Sequence, residues 1–535
     1  MKRWNGWGDV TKIYPLPQSG ARYLAGEVGT GQPTPDARIE EVIACVPPSR
    51  LAAHPLVQTE AEERLRHARG QSLPDWIALR SGRIPAFPDG VAYPTCDEDV
   101  RSLLQYASST GTGLIPYGGG SSVVGHINAL PGQTPVLTVD MSRMNALLDL
   151  DRSSLIASFG AGVRGPDLEA ALKPYGFILG HYPQSYEYST LGGWIAARSS
   201  GQQSYRYGRI EDLFAGGHLE TPQGGLELPV VPASAAGPDI KQVILGSEGR
   251  FGILTRAAVR IRPLPQSEIF LAAFFPDWES GAEAVRAIVQ ADIQVSMLRL
   301  SNAQETRATL ALSGREQLVD LADRGLPIFG YGPDRCLLYY GLTGSWTQVR
   351  FARRQTDALI RSHRGVLIPF VIGELWRKTR FTTPYLRNTL WETGYALDTL
   401  ETALPWSEVL PTALEVQDAL SRGFEDQGER VLAFSHLSHI YRMGASFYVT
   451  YIFRRAPDPD ETFRRWQVLK QAASQIILHA GGTISHQHGV GVDHAPYLPV
   501  EKGVLGMEML ESLRWSIDPE GILNPGKLIE AEDGD

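Results

Sequence analysis

Cysteine is scarce in this chain. Cys45, Cys96 and Cys336 are the three in 535 residues, too few and too far apart for a disulfide framework or a zinc cluster. Each is expected to be a buried structural thiol in a reducing compartment, the cytoplasm. A basic excess is also missing: a net charge of -9 excludes the positive face that nucleic acids need. No apolar run reaches 18 residues, so no membrane span is expected. The start, Met1-Lys2-Arg3-Trp4, lacks the apolar core of a signal peptide, and the end, Ala531-Glu532-Asp533-Gly534-Asp535, carries no peroxisomal tripeptide. Internal repeats and low-complexity linkers are absent. What remains is a globular composition, 43% hydrophobic and 20% charged, at a length that calls for two or three domains.

Glycine is plentiful, and it gathers in turns that follow apolar runs. Gly113–Ile115 reads as a strand stopped by Pro116, and Pro116-Tyr117-Gly118-Gly119-Gly120-Ser121-Ser122 comes next. Three glycines permit positive φ angles with no Cβ between backbone and ligand, and successive N–H groups in such a turn can hold a pyrophosphate. A plain tight turn is the alternative. The spacing matches neither the dinucleotide fingerprint nor the P-loop. A second stretch is Gln184-Ser185-Tyr186-Glu187-Tyr188-Ser189-Thr190-Leu191-Gly192-Gly193. Here Ser189 or Thr190 is the expected N-cap of a helix reaching Ala197, with Arg198-Ser199-Ser200 beyond. Such an N-terminus suits a phosphate or a flavin carbonyl; a helix packed through its glycines is the structural alternative. The third is Gly246-Ser247-Glu248-Gly249-Arg250-Phe251-Gly252-Ile253-Leu254, after the apolar run Val243–Leu245. Three such turns in one α/β unit fit a domain that wraps an extended dinucleotide by its backbone.

The chain divides into an N-terminal arm (1–79), a first compact unit (80–265), a second unit (266–505) and a returning segment (506–535). In the arm, Glu60–Gly70 reads as a helix, and Trp4 and Trp7 are expected to pack on a groove, ligand access being the lesser reading. The spacing Thr95-Cys96-Asp97-Glu98 predicts a capping box ahead of an apolar-periodic helix. The second unit reads as β-α-β-β-α with an antiparallel sheet, followed by a largely helical section over Phe381–Asp426. The overall class is α+β.

Reactive side chains concentrate outside the glycine turns. Arg387 offers a fork for a phosphate or carboxylate, against the usual surface ion pair. His439 and Tyr441 fall on one face of a strand by alternation. Ser485-His486-Gln487-His488-Gly489-Val490-Gly491 sets two histidines between glycines. With no acid or cysteine at ligand spacing, acid/base duty is favoured there over metal binding.

Taken together, these stretches resemble the FAD-linked flavoproteins of the vanillyl-alcohol oxidase class, and within it the alkyldihydroxyacetonephosphate synthases and their bacterial relatives. The resemblance covers nearly the whole chain. It implies a two-subdomain FAD-binding domain and an α+β cap domain with an antiparallel sheet. FAD contacts fall on Pro116–Ser122, Gln184–Thr190, Gly193, Ala197–Ser200 and Glu248–Leu254, the substrate-phosphate arginine on Arg387 and the catalytic tyrosine on Tyr441. His439, His486 and His488 stand beside Tyr441 as catalytic candidates. Two positions depart from the pattern. Gln487 replaces the middle of three histidines, and Arg442 follows the tyrosine where the synthases have an acid. The glycine loop has no His or Cys for covalent attachment, so the FAD is expected to be noncovalent and no metal is expected. The implied reaction exchanges the acyl chain of an acyl-dihydroxyacetone phosphate for a fatty alcohol through a flavin N5 adduct. The alternative is hydride transfer from a 2-hydroxy acid or polyol phosphate. The expected partners are a small-molecule or lipid-phosphate substrate and no nucleic acid, with peripheral membrane contact and a homodimer as further expectations.

Overall fold

A computed structural model describes residues 1–314, 327 and 330–529; the five C-terminal residues read above lie outside them. Among the described residues three large sheets set the architecture. A four-stranded sheet has the order Val57–Gln58, Gly90–Ala92, Val136–Asp140, Gly113–Tyr117, parallel except for its first pair. The arm therefore contributes an edge strand. A five-stranded antiparallel sheet runs Leu147–Asp151, Ile156–Gly160, Ile253–Arg260, Phe214–Thr221, Gly224–Leu228. Together these form the first unit, the two-subdomain arrangement expected.

The second unit is a seven-stranded antiparallel sheet. Its order is Val366–Leu367, Ser267–Phe275, Cys336–Gly344, Met297–Ser301, Val431–Ile440, Gly444–Arg454, Tyr395–Pro405. Alternation divides this sheet cleanly. Leu298, Leu300, Leu437, Phe447, Val449 and Leu400 face a core shared with helices Trp278–Gln290, Trp346–Ser362, Trp406–Arg422 and Pro459–His479. The opposite face is open to a cavity. Pairing lines up Ser301, His436, Tyr448 and Glu401 in one row across that face, with Phe434, Thr450 and Thr399 in the next. The row after that is Leu432, Ile452 and Leu397, so polar groups give way to apolar ones along the strands.

The chain then returns to the first unit. Ile484, Leu498, Leu528 and Ile529 are buried in the core of the five-stranded sheet, while Ile522 and Leu523 join that of the four-stranded one. Leu523 bridges Leu114 in parallel, and Asn524 N–H donates to the Leu114 carbonyl at 2.7 Å.

Several local expectations change. Pro116 does not stop its strand, which runs on through Tyr117, because proline is tolerated in this edge strand. The helix Asp97–Thr110 has no side-chain cap from Cys96; instead Thr95 N and Oγ1 both donate to Asp99 Oδ2, at 2.8 and 2.7 Å. The section read as largely helical holds an 11-residue edge strand, Tyr395–Pro405. Cys45 and Cys96 are exposed, and only Cys336 is a buried thiol. Trp7 packs into the second unit's core, as the packing reading expects, and also borders the cavity.

Candidate active site

A cavity of about 880 Å³ lies between the two units. One end is built by the glycine turns. Pro116, Tyr117, Gly118, Gly119, Gly120, Ser121 and Ser122 all border it. Among the described residues, the amides of Gly119, Gly120, Ser121 and Ser122 donate to no protein acceptor. Four successive free N–H groups are the concavity a pyrophosphate needs. The glycines themselves answer to the protein as much as to a ligand: a Cβ on Gly118 would meet Thr190, and one on Gly119 would meet the Tyr188 carbonyl. The first two glycine-rich stretches nest against each other.

From the second stretch, Gln184, Ser185, Ser189, Thr190, Gly193, Ala197, Ser199 and Ser200 border the cavity. Thr190 is the N-cap, its Oγ1 accepting from Gly193 N–H at 3.3 Å. Tyr186, Glu187, Tyr188 and Arg198 do not reach the wall. Glu187 instead accepts from Tyr385 Oη at 2.7 Å and pairs with Lys12 at 2.8 Å, while Arg198 pairs with Glu211 at 2.8 Å. From the third stretch, Glu248, Gly249, Gly252, Ile253 and Leu254 border the cavity; Arg250 and Phe251 are buried behind it. Arg250 donates to the Leu523 carbonyl and so ties the returning segment down. Gly192 and Ser247, within the second and third stretches, also border the cavity, as do Val123, His126 and Asn524, for which the sequence suggests no cofactor contact.

Glu248 has an unexpected task. At φ +54° it accepts from Val490 N–H at 2.5 Å and Gly491 N–H at 2.8 Å, and Asn524 donates to its carbonyl at 2.7 Å. This carboxylate clamps the histidine loop to the first unit, together with the Val124 carbonyl, which accepts from Val492 and Asp493 N–H at 2.8 and 3.2 Å. Gly489 and Gly491, both at positive φ, allow the approach, since a Cβ there would meet His126 and the Val124 carbonyl respectively.

That clamp delivers the loop to the sheet. Tyr441 Oη lies 2.6 Å from His486 Nε2, and His486 Nδ1 lies 3.1 Å from Glu401 Oε1, at ion-pair distance though off hydrogen-bond geometry. Glu401 also accepts from Ser446 Oγ at 2.8 Å and Gln487 Nε2 at 2.7 Å. His439 stacks on His486 with centroids 4.8 Å apart and hydrogen-bonds Ser200 Oγ at 3.0 Å. His439, Gln487 and His488 border the cavity, whereas Tyr441 and His486 are not in its wall. Spacing along the chain gives Glu401 no place beside the histidines; the fold supplies it as their acid.

Burial sets the proton affinities. It pushes the Tyr441 phenol up to about 12, with Arg209 pulling the other way, and pushes the His439 imidazole down to about 3. Burial also lowers His488. It would raise Glu401, but the surrounding imidazoles, His486 foremost, outweigh it and hold the carboxylate well below its usual range. Arg442, next to Tyr441 in the chain, points to solvent and pairs with Asp292 at 3.1 Å; Arg209, which donates to the His486 carbonyl at 2.9 Å, supplies the positive charge beside the phenol.

Arg387 borders the cavity from helix Thr383–Glu392. Its guanidinium sits 4.5 Å from the Trp76 ring centroid and donates from Nη1 to the Gln71 carbonyl at 2.5 Å. Nε and Nη2 are buried with no partner among the described residues. It is a pre-placed fork, not a surface ion pair.

Comparison with known proteins agrees with this arrangement. Residues 88–227 match the family model of the FAD binding domain, and 264–528 that of the C-terminal domain of FAD linked oxidases. The alkyldihydroxyacetonephosphate synthase of Dictyostelium discoideum is 30% identical over 98% of this chain and 93% of its own. The enzyme of that name from Trypanosoma brucei brucei is 29% identical over 98% and 92%. A solved alkyldihydroxyacetonephosphate synthase superposes with a TM-score of 0.84 at 28% identity, covering 98% of both chains.

Proposed function

The chain belongs to the FAD-linked oxidases, and from that premise we propose that it acts as its synthase relatives are named. It exchanges the acyl chain of an acyl-dihydroxyacetone phosphate for a long-chain alcohol, on a noncovalently held FAD. The observation that carries the reading is Arg387, which keeps two buried nitrogens unpartnered and borders a cavity that also has an apolar flank. A phosphate on a chain-bearing molecule satisfies both.

The residues fit FAD: the free amides of Gly119–Ser122 would hold its pyrophosphate, and Thr190, Ser199 and Ser200 would flank the rest. Bound FAD supplies an electron-poor ring able to take a carbon nucleophile or a hydride. The protein's share is positioning and proton handling. Arg387 anchors the phosphate by a charge-assisted fork. In the proposed step the Tyr441 phenol, which lies just behind the wall, turns into the cavity, accepts a proton from the substrate carbon and passes its own to His486 Nε2, while the ionised Glu401 offsets the imidazolium charge. This is the logic of a nucleophile, histidine and acid triad, with a phenol in first place. Gln487 cannot take a proton; its amide keeps Glu401 oriented instead. Phe434, Thr450, Ile452, Leu397 and Leu390 line the part of the cavity that receives the chain. The departing fatty acid and the entering alcohol leave no net redox change.

Among the described residues no helix is long and apolar enough to cross a membrane. Peripheral contact with a lipid surface is part of the proposal, supported by exposed Val500, Val504, Leu505, Met509 and Trp515. The test is release of a radiolabelled acyl chain from acyl-dihydroxyacetone phosphate, dependent on added hexadecanol. No release, together with anaerobic flavin bleaching by a 2-hydroxy acid, would replace exchange with hydride transfer. Acid precipitation should release the flavin colour into solution; colour kept in the pellet would contradict noncovalent binding.

A further inference from the structure

A second charged group borders the same cavity and takes no part in the steps above. Arg299, on strand Met297–Ser301, donates from Nη2 to Glu305 Oε1 at 2.6 Å. His436 Nδ1 lies 3.0 Å from the same oxygen. Glu305 stands in the first turn of helix Ala303–Leu312, where Asn302 caps its N–H. It is only 4% exposed, yet Oε2 has no hydrogen-bond partner among the described residues. A buried acceptor left over in a cavity wall costs stability unless something fills it.

We propose that Glu305 seats the hydroxyl group of the long-chain alcohol, its free oxygen Oε2 accepting the hydrogen bond and Arg299 and His436 holding the carboxylate in place. The inference rests on the exchange reading and identifies where its second substrate binds. Three observations select an alcohol. An ionised carboxylate can only accept, so the group it recognises must be a donor. Burial pushes the Glu305 carboxyl up, but His436 and Arg299 outweigh it and hold it at about 2, so the acceptor stays ionised. A phosphate or fatty carboxylate would meet the Glu305 charge here, whereas Arg387 offers an anion two buried nitrogens and holds no carboxylate. The neighbouring wall, Met297, Ala308 and Phe434, is apolar and suits a hydrocarbon chain. His436 stacks on Tyr448, which in turn meets His488 edge-on, so the seat adjoins the histidine loop.

The test uses FAD-loaded protein and equilibrium binding of radiolabelled 1-dodecanol, with dodecanoate as competitor and dihydroxyacetone phosphate as the anion probe. Wild type should bind dodecanol at least tenfold more tightly than dodecanoate. Glu305→Gln should weaken dodecanol about tenfold and leave FAD content and dihydroxyacetone phosphate binding unchanged. The double variant Arg299→Met with Glu305→Met removes the pair without stranding a charge, and should show the same loss. Unchanged dodecanol affinity in a folded, FAD-replete Glu305→Gln protein would overturn the proposal, as would equal binding of dodecanoate. If wild type binds dihydroxyacetone phosphate but not dodecanol, the hydroxyl seat is wrong and the anion site stands. Binding of dodecanol without dihydroxyacetone phosphate would support the seat and remove the exchange reading.

Discussion

Replacing Glu401 with glutamine tests the relay at the group that carries its negative charge. The carboxylate is fully enclosed and takes hydrogen bonds from Ser446 Oγ at 2.8 Å and Gln487 Nε2 at 2.7 Å, with His486 Nδ1 at 3.1 Å and His439 Nε2 at 3.7 Å. An amide keeps the shape but has one acceptor, and its NH₂ must face donors. Losing one charge-assisted hydrogen bond of this kind costs roughly 1.5–3 kcal/mol. The pH dependence follows from the sign of the shift. The Glu401 pKa is depressed on folding, so its contribution is present above the unfolded value, roughly 4.3, and lost as pH falls through the folded one. The stability gap between wild type and Glu401→Gln should therefore be flat from pH 6 to 8 and close only in strong acid. The imidazolium formed at His486 also loses its counter-charge. A positioned proton-transfer group contributes about 10²–10⁴ in rate, so a fall in kcat of about a hundredfold is expected, with FAD content unchanged. Acyl release and thermal unfolding measured on the same preparations decide it. A Glu401→Gln enzyme turning over within twofold of wild type would refute the relay and leave Glu401 as a structural acceptor for Ser446 and Gln487.

Arg387→Lys keeps the charge but not the fork, so kcat/KM for a phosphorylated substrate should fall at least tenfold with flavin absorbance intact; wild-type kinetics would remove Arg387 from the site. Tyr441→Phe should lose a hundredfold or more in rate at full FAD occupancy, whereas normal turnover across the pH range would pass the role to the histidines. Acid stability should reflect the buried neutral imidazoles. Burial holds His181 and His439 at about 3, so the unfolded chain binds their protons first and stability falls as pH drops from about 6.5 towards 3. Each contributes about 1.4 kcal/mol per pH unit over the steep part of that window, and a urea midpoint independent of pH between 6 and 4 would contradict it.

The sequence by itself determined the parts whose physics is local. Glycine punctuation after apolar runs located the turns at Gly118–Gly120 and Gly246–Gly252: a Cβ would clash at Gly118 and Gly119, and Gly120, Gly246, Gly249 and Gly252 sit at positive φ. Apolar runs marked several strands of the second unit, and the spacing of His486 and His488 between glycines marked the loop that reaches the site. The tertiary structure decided which of these meet. The strand Tyr395–Pro405 went unread because Asp398, Glu401 and Thr402 are buried polar residues that blur its alternation, and it was read as helix. Pairing with Gly444–Arg454 sets Glu401 in the row with Tyr448, and the Glu248 and Val124 contacts of the histidine loop bring His486 onto it. Arg209 and Arg442 show the same division. Arg442 is next to Tyr441 in the chain yet turns to Asp292 and solvent, while Arg209, more than two hundred residues earlier, supplies the charge beside the phenol. Proximity along the chain fixes backbone conformation over a few residues. The electrostatics of a buried site depend on distances through space, and those are set by which sheet row each side chain occupies.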